Sequence, residues 1–462
     1  MKKIFAISGI FVYVFLIAQW TGPFRIGGYA SSFFPPVMLN SFVSDNNGNS
    51  YLVWHDNSAD FYFNISMKEY DGSAWQPGQR IDDPLNGQGD YGLSWMPSIS
   101  VSPDGKYLIA WEDYRTGNFE IHSKYYNGLD IPSQIQVTSD SSYCWYPKLL
   151  YGAGAHHLFY ISNKTGYFNI YHSIFDSSWQ TAKRITDMNF NILDFHYTVN
   201  ADSSIDLVFT VQNGNYANLY GVSYDGSVWG NAVPLIEEDY NIYNPVILTG
   251  DTMSIIIFKS EEEGISRIMG MKNNGLTPGN PVPLSDNYSN AMYPSGFTAD
   301  STVYLYYVSD ESPTGIFKER QFKVSDMSMI SDTDLLKEKG GEIYYPQSTI
   351  NSSGDIVIAF MCADTIHSTT PNTVYYMKYS NAKKSKTTQK PYVYNERSGK
   401  LIFDNDDMYN IRIISKTGRI IMEQSGITEI FELKKYGINR DIYFMIISDN
   451  KNRFTEKILW LD

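Results

Sequence analysis

Acidic and aromatic side chains recur together along this chain, at the ends of apolar segments. The most complete instance is Trp111-Glu112-Asp113-Tyr114-Arg115, in which two carboxylates and a guanidinium lie beside aromatic residues. An aromatic face stacks on the apolar face of a sugar ring, and carboxylates accept hydrogen bonds from its hydroxyls. These residue types therefore suit glycan binding, and a pair of carboxylates at a defined separation would suit glycoside hydrolysis.

The elements that must position these residues form an internal repeat. An aromatic residue that ends an apolar strand and precedes a polar turn recurs at Trp54, Trp111, Tyr160, Phe209, Phe258, Tyr306 and Phe360. Further turns within the repeats, such as Ser102-Pro103-Asp104-Gly105, separate up to four short apolar segments in each. Four antiparallel strands per roughly 50 residues are typical of a propeller blade. The sequence predicts an all-β fold with a seven-bladed β-propeller over residues 21–380.

Ring closure is predicted from spacing. The fourth strand precedes the next repeat's opening residues by 11 positions, as in Gln136 to Pro147, Pro234 to Pro245 and Pro283 to Pro294. Repeat seven lacks such a strand, but Arg25 lies 11 positions before Pro36. We therefore expect Phe24-Arg25-Ile26 to complete the seventh blade, so that the ring has no free edge.

In this arrangement the opening loops and the loops after each second strand share one rim. The candidate ligand-binding residues there are Trp95, Glu112, Asp113, Arg115, Trp145, Tyr146, Asp194, Tyr243, Tyr293, Asp310 and Tyr345. Because such residues recur in register, a role in holding neighbouring blades together is favoured for the opening aromatics and for Glu112, Asp113 and Arg115. No carboxylate pair stands apart from the repeat, so no catalytic residue is predicted.

Metal and cofactor chemistry has no support in the residue spacing. No His-x-x-x-His, Cys cluster or Asp-rich loop with ligand spacing occurs. His156-His157 is predicted to be a surface pair in a hairpin turn, and Asp45-Asn46-Asn47-Gly48-Asn49 a plain turn. Cys144 and Cys362 are expected to be free thiols. We predict no metal and no cofactor.

Two turns resemble those of a known family. Tyr70-Asp71-Gly72-Ser73-Ala74-Trp75 and Tyr224-Asp225-Gly226-Ser227-Val228-Trp229 are similar to the Asp-box turn of sialidase-like repeats. In that family the turn marks the fold and takes no part in chemistry. The three arginines that bind a sialidase substrate cannot be assembled here, and Arg25 is expected on an outer strand, far from the axis.

The amino-terminal segment predicts export. Lys2 and Lys3 precede an apolar run over residues 4–18, and polar sequence follows, so residues 1–20 are expected to be a signal peptide. An uncleaved anchor is the alternative, and no second apolar run is long enough to span a membrane. The net charge of −14 argues against nucleic acid as a main partner.

A different unit follows the propeller. Residues 381–391 form a Lys-rich linker, and 392–462 are predicted to fold as a small β-sandwich. Ile411-Arg412-Ile413-Ile414, Lys416-Thr417-Gly418-Arg419, Phe431-Glu432-Leu433 and Ile442-Tyr443-Phe444 resemble the type A C-terminal sorting domain of the type IX secretion system of Bacteroidota. The resemblance implies export across the outer membrane by that machinery, then surface anchoring or release. An ordinary accessory β-sandwich is the alternative.

These observations favour a secreted or outer cell-surface propeller that binds an extracellular glycan or protein. The alternatives are a glycoside hydrolase, sialidase-like or other, that uses rim carboxylates, and a structural surface protein without a small ligand. Propellers host many activities, so the fold does not decide among these.

Overall fold

The structure is a computed structural model. It describes residues 19–30, 41–56, 63–71, 74–83, 93–128, 133–200, 202–250, 253–312, 315–336, 343–351, 354–362, 372–380, 392–395, 400–403, 408–415, 420–427, 430–432, 442–448 and 453–459. The predicted signal peptide up to residue 18, the opening Pro35-Pro36 and the linker at 381–391 lie outside these ranges. The chain divides into two units, Ala18–Ser380 and a second one that contains Asn381–Asp462.

The strands of the first unit alternate as the repeat predicts. After β1 (Gln19–Ala30) come the strands of blades 1 to 3, each blade an antiparallel sheet. Blade 1 holds β2 (Phe42–Ser44), β3 (Ser50–Asp56), β4 (Asn64–Tyr70) and β5 (Gln79–Arg80). Blade 2 holds β6 (Ser94–Val101), β7 (Tyr107–Asp113), β8 (Glu120–Tyr126) and β9 (Ile135–Gln136). Blade 3 holds β10 (Cys144–Gly152), β11 (Ala155–Ser162), β12 (Asn169–Asp176), β13 (Ser178–Trp179) and β14 (Lys183–Arg184).

Blades 4 to 6 follow the same order. Blade 4 holds β15 (Ile192–Val199), β16 (Ile205–Asn213), β17 (Tyr216–Tyr224) and β18 (Val233–Ile236). Blade 5 holds β19 (Asn241–Thr249), β20 (Ser254–Glu262), β21 (Ile265–Asn274), β22 (Thr277–Pro278) and β23 (Val282–Pro283). Blade 6 holds β24 (Ala291–Ala299), β25 (Thr302–Ser309), β26 (Ile316–Lys323) and β27 (Met329–Leu336).

Blade 7 takes its outer strand from the start of the chain. It holds β28 (Ile343–Ile350), β29 (Ile356–Cys362) and β30 (Asn372–Ser380), and β1 pairs antiparallel with β30. Arg25 lies opposite Tyr375 and is exposed, while Ile26 is buried against blade 1. The predicted seven-bladed, all-β propeller closed by an amino-terminal strand is therefore confirmed.

The core lies between neighbouring blades, because each sheet must cover both faces. Val53 and Met67 of blade 1 pack with Ile99, Ile109 and Trp111 of blade 2, and all five are almost fully buried. Burial of one such aliphatic side chain stabilises a fold by about 1.5–3 kcal/mol. The repeat of apolar strands thus supplies both the blades and the joints between them.

The opening residues lie within strands rather than in the loops predicted for them. Between Trp95 and Ser98 the register of β6 and β7 shifts by a bulge, and five inner strands share this irregularity before a proline. The residue ahead of the proline has a positive φ in each, namely Met96, Tyr146, Asn244, Tyr293 and Tyr345. A bulge bends its strand and redirects a side chain. Sequence spacing found the position but not this geometry.

The register also corrects one repeat. Trp95 pairs with Glu112 in blade 2, and Met292 pairs with Val308 in blade 6, so Tyr307 is the equivalent of Trp111. The sequence alignment had placed Tyr306 there. Both tyrosines are buried, which is why burial-prone residue types alone did not reveal the shift.

His156 and His157 are not surface residues; this prediction was wrong. They lie in β11, and 4% and 2% of their surfaces are exposed. Trp229 Nε1 donates to His172 Nδ1 at 3.1 Å, and His172 Nε2 lies 2.9 Å from His157 Nδ1. His157 Nε2 lies 3.1 Å from the carbonyl oxygen of Gly152. These contacts form one directed chain if both histidines are neutral with the proton on Nε2.

Burial and neighbouring groups keep this histidine chain uncharged. Burial lowers the pKa of His172 to about 3, and it lowers the pKa of His157 as well. The pKa of His156, whose Nδ1 lies 2.8 Å from Ser100 Oγ, falls to about 4 mainly through burial. The chain fastens blade 3 to the Asp-box-like turn of blade 4, so these histidines have a structural role.

The second unit contains two antiparallel sheets. Its strands are β31 (Tyr392–Asn395), β32 (Lys400–Phe403), β33 (Tyr409–Ser415), β34 (Ile420–Ile427), β35 (Ile430–Glu432), β36 (Ile442–Ser448) and β37 (Arg453–Leu459). Strands β31, β32 and β35 form one sheet, and β34, β33, β36 and β37 form the other. The turn Lys416-Thr417-Gly418-Arg419 lies outside the described residues.

Neither cysteine is in a disulfide, as expected; the Cys144 thiol is buried and that of Cys362 is half-buried. Within the described ranges, no helix has the length and apolar character needed to cross a membrane.

Candidate functional site

Strand direction defines two rims of the propeller. The upper rim carries the loops between second and third strands and the connections from one blade to the next. The lower rim carries the turns between first and second strands and between third and fourth strands. The predicted site residues all lie at or near the upper rim, at strand ends or in the bulges.

Five aromatic rings form a continuous ladder on the upper rim of blades 1 to 3. The ring centroids of Phe63 and Trp95 lie 5.8 Å apart, and those of Trp95 and Phe119 lie 5.6 Å apart. Phe119 lies 6.0 Å from Trp145, which stacks on Phe168 at 4.6 Å. All five rings are half-buried, so the aromatic ladder is open to solvent on one side.

Exposed tyrosines flank the aromatic ladder. Tyr114 contacts Phe119 at 4.8 Å and is 37% exposed, and Tyr143 contacts Trp145 at 5.7 Å and is 43% exposed. Tyr167, next to Phe168, is 46% exposed. Large rings that remain half in water and close together form a stacking surface of the kind found at binding sites.

A pocket opens within the aromatic ladder between blades 2 and 3. Its volume is about 240 Å³, and its walls are Trp95, Met96, Glu112, Phe119, Trp145 and Tyr146. Five of these six residues are apolar or aromatic, and Glu112 is the one charged group among them. The structure thus brings together four predicted residues, Trp95, Glu112, Trp145 and Tyr146.

Glu112 lies in this pocket because it is the penultimate residue of β7, opposite Trp95. It is 6% exposed, and its Oε1 accepts a 2.7 Å hydrogen bond from the backbone N–H of Tyr146. Burial in the apolar pocket raises the pKa of the Glu112 carboxyl to about 7. At neutral pH a large fraction of this group is therefore protonated, and it can donate as well as accept a proton.

In five blades, an aromatic residue or a methionine of the first strand pairs with the position that Glu112 occupies in blade 2. Among these five blades, only blade 2 has a carboxylate at that position. The equivalent residues are Ile161, Lys259, Val308 and Met361. Glu112 therefore departs from the repeat. The sequence pattern favours a structural role for Glu112 because similar residues recur in register, but no carboxylate recurs at this position in those blades.

Asp113, the next residue, points to the other face of the strand, where its carboxylate has a structural role. Its carboxylate accepts hydrogen bonds from Arg115 Nε at 2.7 Å, Arg115 Nη2 at 2.8 Å and Trp111 Nε1 at 3.1 Å. Ser94 Oγ donates at 3.1 Å. Although burial opposes the charge, these donors hold the pKa of the Asp113 carboxyl below its ordinary value. Asp113 and Arg115 hold the ends of β6 and β7 together.

A second group of predicted residues meets near the propeller axis. Tyr293 and Tyr345 contact each other with ring centroids 4.3 Å apart. Burial raises the pKa of Tyr345, and the nearby Tyr293, Tyr146 and Asp194 raise it further. Burial also raises the pKa of Tyr146 to about 12, with added effects from Glu112 and Asp194. Tyr146 therefore links the Glu112 pocket to this axial cluster.

Asp194 is held in place by hydrogen bonds from blades 3 and 4. It accepts hydrogen bonds from Lys148 Nζ at 2.9 Å and from the backbone N–H of Phe195 at 2.7 Å. Lys148 is 2% exposed and lies 4.6 Å from the Phe195 ring. The charge of Asp194 is thus neutralised within the protein.

Tyr243 and Asp310 lie outside the pocket and the axial cluster. Lys259 Nζ covers the Tyr243 ring at 4.9 Å and pairs with Glu261 at 3.1 Å. Asp310 accepts hydrogen bonds from the backbone and side chain of Asn290 at 2.6 and 2.7 Å, which fastens a loop of blade 6. Both contacts are structural.

Three rungs of the aromatic ladder, Phe63, Phe119 and Phe168, were not among the predicted site residues. Each directly precedes the third strand of its blade, in Phe63-Asn64, Phe119-Glu120 and Phe168-Asn169. This recurrence was available in the sequence. What could not be read from it is that Phe63 and Phe119 reach the first-strand tryptophan of the following blade, whereas Phe168 stacks on Trp145 of its own blade.

The pocket suits a sugar ring, since aromatic walls stack on its apolar face and Glu112 meets its hydroxyls. Within the described parts of the chain, no group of three or more His, Cys, Asp or Glu side chains has a geometry that could hold a metal ion.

No protein-family model matches this chain, and no curated protein matches it in sequence. Solved structures share its fold. The polysaccharide lyase Uly1 superposes with a TM-score of 0.53 at 10% identity, over 76% of this chain and 91% of that one. The sialidase of Trypanosoma rangeli gives a TM-score of 0.44 at 8% identity, over 81% and 86% of the two chains. The GH93 α-L-arabinofuranosidase of Fusarium graminearum gives 0.43 at 12% identity, over 64% and 96%. The likeness to the first of these structures shows that the chain shares the β-propeller fold.

Proposed function

We propose that this protein is an exported glycan-binding propeller whose ligand lies along the aromatic ladder, with one sugar ring in the Glu112 pocket. The observation that carries the proposal is the run of four ring contacts that joins the five rings from Phe63 to Phe168 around a pocket with one buried carboxyl group. A structural role alone does not require aromatic rings that stay half exposed beside an open pocket.

The ladder residues support a ligand with several sugar units. Consecutive rings offer a series of stacking faces, and each aromatic contact is worth about 0.5–1.5 kcal/mol. Glu112 and the exposed tyrosines supply hydrogen-bonding groups at the same surface. Weak contacts in series give useful affinity only for an extended ligand, which favours an oligosaccharide over a single sugar.

The experiment is a glycan array with the full mature chain, followed by calorimetric titration of the glycans that bind. Trp145→Ala removes the stacking face shared by Phe119 and Phe168, and we expect an affinity loss of about tenfold. Trp179→Ala is the matched control, because Trp179 lies at the lower rim and donates to Ser123. Equal losses in both variants, or no glycan bound by the wild type, would refute the proposal.

A second candidate function is glycan cleavage, favoured by one observation. The Glu112 carboxyl has a pKa raised to about 7 within an aromatic pocket, as a general acid requires. Turnover of glycans that the array identifies would establish cleavage, and Glu112→Gln should then abolish it while binding persists. Binding without turnover leaves the first proposal standing.

Export is proposed on the sequence resemblance described above. We propose that the C-terminal unit directs the chain through a type IX secretion system, so that the propeller reaches the cell surface or medium. Deletion of residues 392–462 in a host with that system should leave the chain inside the cell envelope. Unchanged surface exposure would assign the unit another role.

A further inference from the structure

The cations at the upper rim near the aromatic ladder are already engaged in ion pairs. Arg115 Nε lies 2.7 Å from Asp113, Lys148 Nζ lies 2.9 Å from Asp194, and Lys164 Nζ lies 2.8 Å from Asp140. Lys148 is also buried, so a ligand cannot reach it. An anionic group on a glycan would therefore have to compete with a carboxylate of the protein for each cation.

Lys164 is the most accessible of these cations and shows how the competition is arranged. It follows Asn163, whose Oδ1 accepts a hydrogen bond from the backbone N–H of Tyr143, so it lies beside the ladder. Its side chain is 57% exposed, and that of Asp140 is 35% exposed. The hydrogen bond to Asp140 raises the pKa of Lys164. Although burial opposes the charge of Asp140, hydrogen bonds from Lys164 and Ser142 lower its pKa, so both groups stay charged at neutral pH.

Two further cations of blades 1 and 2 are paired in the same way. Arg80 lies 2.9 Å from Asp82, and Lys124 lies 2.7 Å from Asp83. Glu112 lies inside the pocket itself, so any charge it carries is negative.

Blades 4 and 5 carry exposed carboxylates on the same rim. Glu237, Glu238 and Asp239 are exposed in the upper-rim connection from blade 4 to blade 5, and Glu262 and Glu263 are exposed in the next upper-rim loop. Screening limits the reach of such charges to roughly a Debye length, about 8 Å at physiological ionic strength. They therefore repel the part of an extended polyanion that passes close to them and leave an uncharged ligand unaffected.

We infer that the aromatic ladder selects uncharged glycans and rejects those that carry carboxylate or sulfate groups. This inference rests on the proposed glycan binding and names the chemical class of the ligand. The rings supply stacking, which does not depend on ligand charge, whereas the ion pairs and the acidic rim remove the contacts that an anionic sugar requires.

The test compares neutral and uronate- or sulfate-bearing oligosaccharides of equal length, titrated into the full mature chain at 50 and 500 mM NaCl. We expect the neutral ligand to bind with a Kd that changes less than about twofold with salt. The anionic ligand should bind at least about tenfold more weakly at low salt, with part of the deficit recovered at high salt.

Asp140→Asn sharpens the test because it releases Lys164 beside the ladder. This variant keeps an oxygen for the backbone N–H of Ser142, which donates to Asp140 at 3.0 Å. We expect anionic oligosaccharides to bind several-fold more tightly, in a salt-sensitive manner, with neutral binding unchanged. Asp104→Asn is the matched control, since it releases Lys106, which lies 2.8 Å from Asp104 in a lower-rim turn of blade 2.

The outcomes distinguish a failure of the selectivity for uncharged glycans from a failure of glycan binding itself. Anionic ligands that bind the wild type as tightly as neutral ones would overturn the inference and leave glycan binding intact. An equal gain in the Asp140 and Asp104 variants would also overturn it, because the effect would then be one of net charge. If neither class binds, the proposed function itself fails.

Discussion

Glu112 and Asp113 are neighbours in one strand, yet the regions on either side of that strand are built differently. The Asp113 region is saturated, with donors from Arg115, Trp111 and Ser94 around a fully buried carboxylate. The Glu112 region contributes one backbone donor, that of Tyr146, and otherwise apolar walls around an open pocket. Saturated polar groups stabilise a fold, whereas an incompletely compensated one marks a place where a ligand can complete the set.

The histidine chain between blades 3 and 4 belongs with Asp113 in this comparison. Each nitrogen of His157 and His172 has a partner, and the tautomers are mutually consistent. Both saturated regions contact a tryptophan indole N–H, and both lie where blades or strand ends must be held in register. The Glu112 pocket has aromatic residues as well, but there the rings face the pocket.

The largest expected effect is a loss of stability when Asp113, whose carboxylate accepts several hydrogen bonds, is replaced. Asp113→Ala leaves Arg115 and Trp111 without their acceptor, and removal of one partner of a buried ion pair costs about 3–5 kcal/mol. Urea unfolding at pH 7.5 measures this loss. A cost below about 1 kcal/mol would remove the distinction between the two regions.

Replacement of Glu112 is expected to stabilise the protein, in contrast to the replacement of Asp113. The folded-state pKa of Glu112 lies above its ordinary value, so its ionisation destabilises the fold as pH rises through the window from 4.5 to about 7. Glu112→Gln keeps an acceptor for Tyr146 N–H and should stabilise the protein at pH 8 by about 3 kcal/mol. The gain should vanish near pH 4, where the wild-type carboxyl is neutral in both states. A loss of stability at pH 8 would show that Glu112 is a structural carboxylate like Asp113.

A smaller effect is expected from acid on the histidine chain. Folding lowers the pKa of His172 to about 3, so the unfolded chain takes up the proton first, and stability falls as pH drops through 6.5. This one residue should cost about 2 kcal/mol between pH 7 and pH 5. His172→Phe should lower stability at pH 7 and also flatten the pH dependence of the unfolding free energy. An unchanged slope would mean that His172 is not buried in its neutral form.

The fold was predictable because the number of residues between equivalent strands is nearly constant along the chain. The 11-residue interval that places Gln136 before Pro147 also places Arg25 before Pro36, and the pairing of Arg25 with Tyr375 follows from ring closure. Repetition made each strand assignment a test of the others, so only blade 6 was shifted, by one residue.

The site was less predictable, for a physical reason. Sequence alternation puts Glu112 and Asp113 on opposite faces, but it does not say which face meets solvent, a neighbouring blade or a pocket. The bulge at Met96, the approach of Phe119 to the next blade's Trp145 and the burial of His156 all depend on packing between blades. Such contacts join residues of different repeats, and residue spacing within one repeat does not determine them.

The most direct test of the account is a crystal structure of the protein soaked with a neutral oligosaccharide selected from the array. We predict a sugar ring between Trp95 and Trp145, with a hydroxyl within hydrogen-bonding distance of the Glu112 carboxyl. A ligand bound at the lower rim or at blades 5 and 6, with the Glu112 pocket empty, would contradict it.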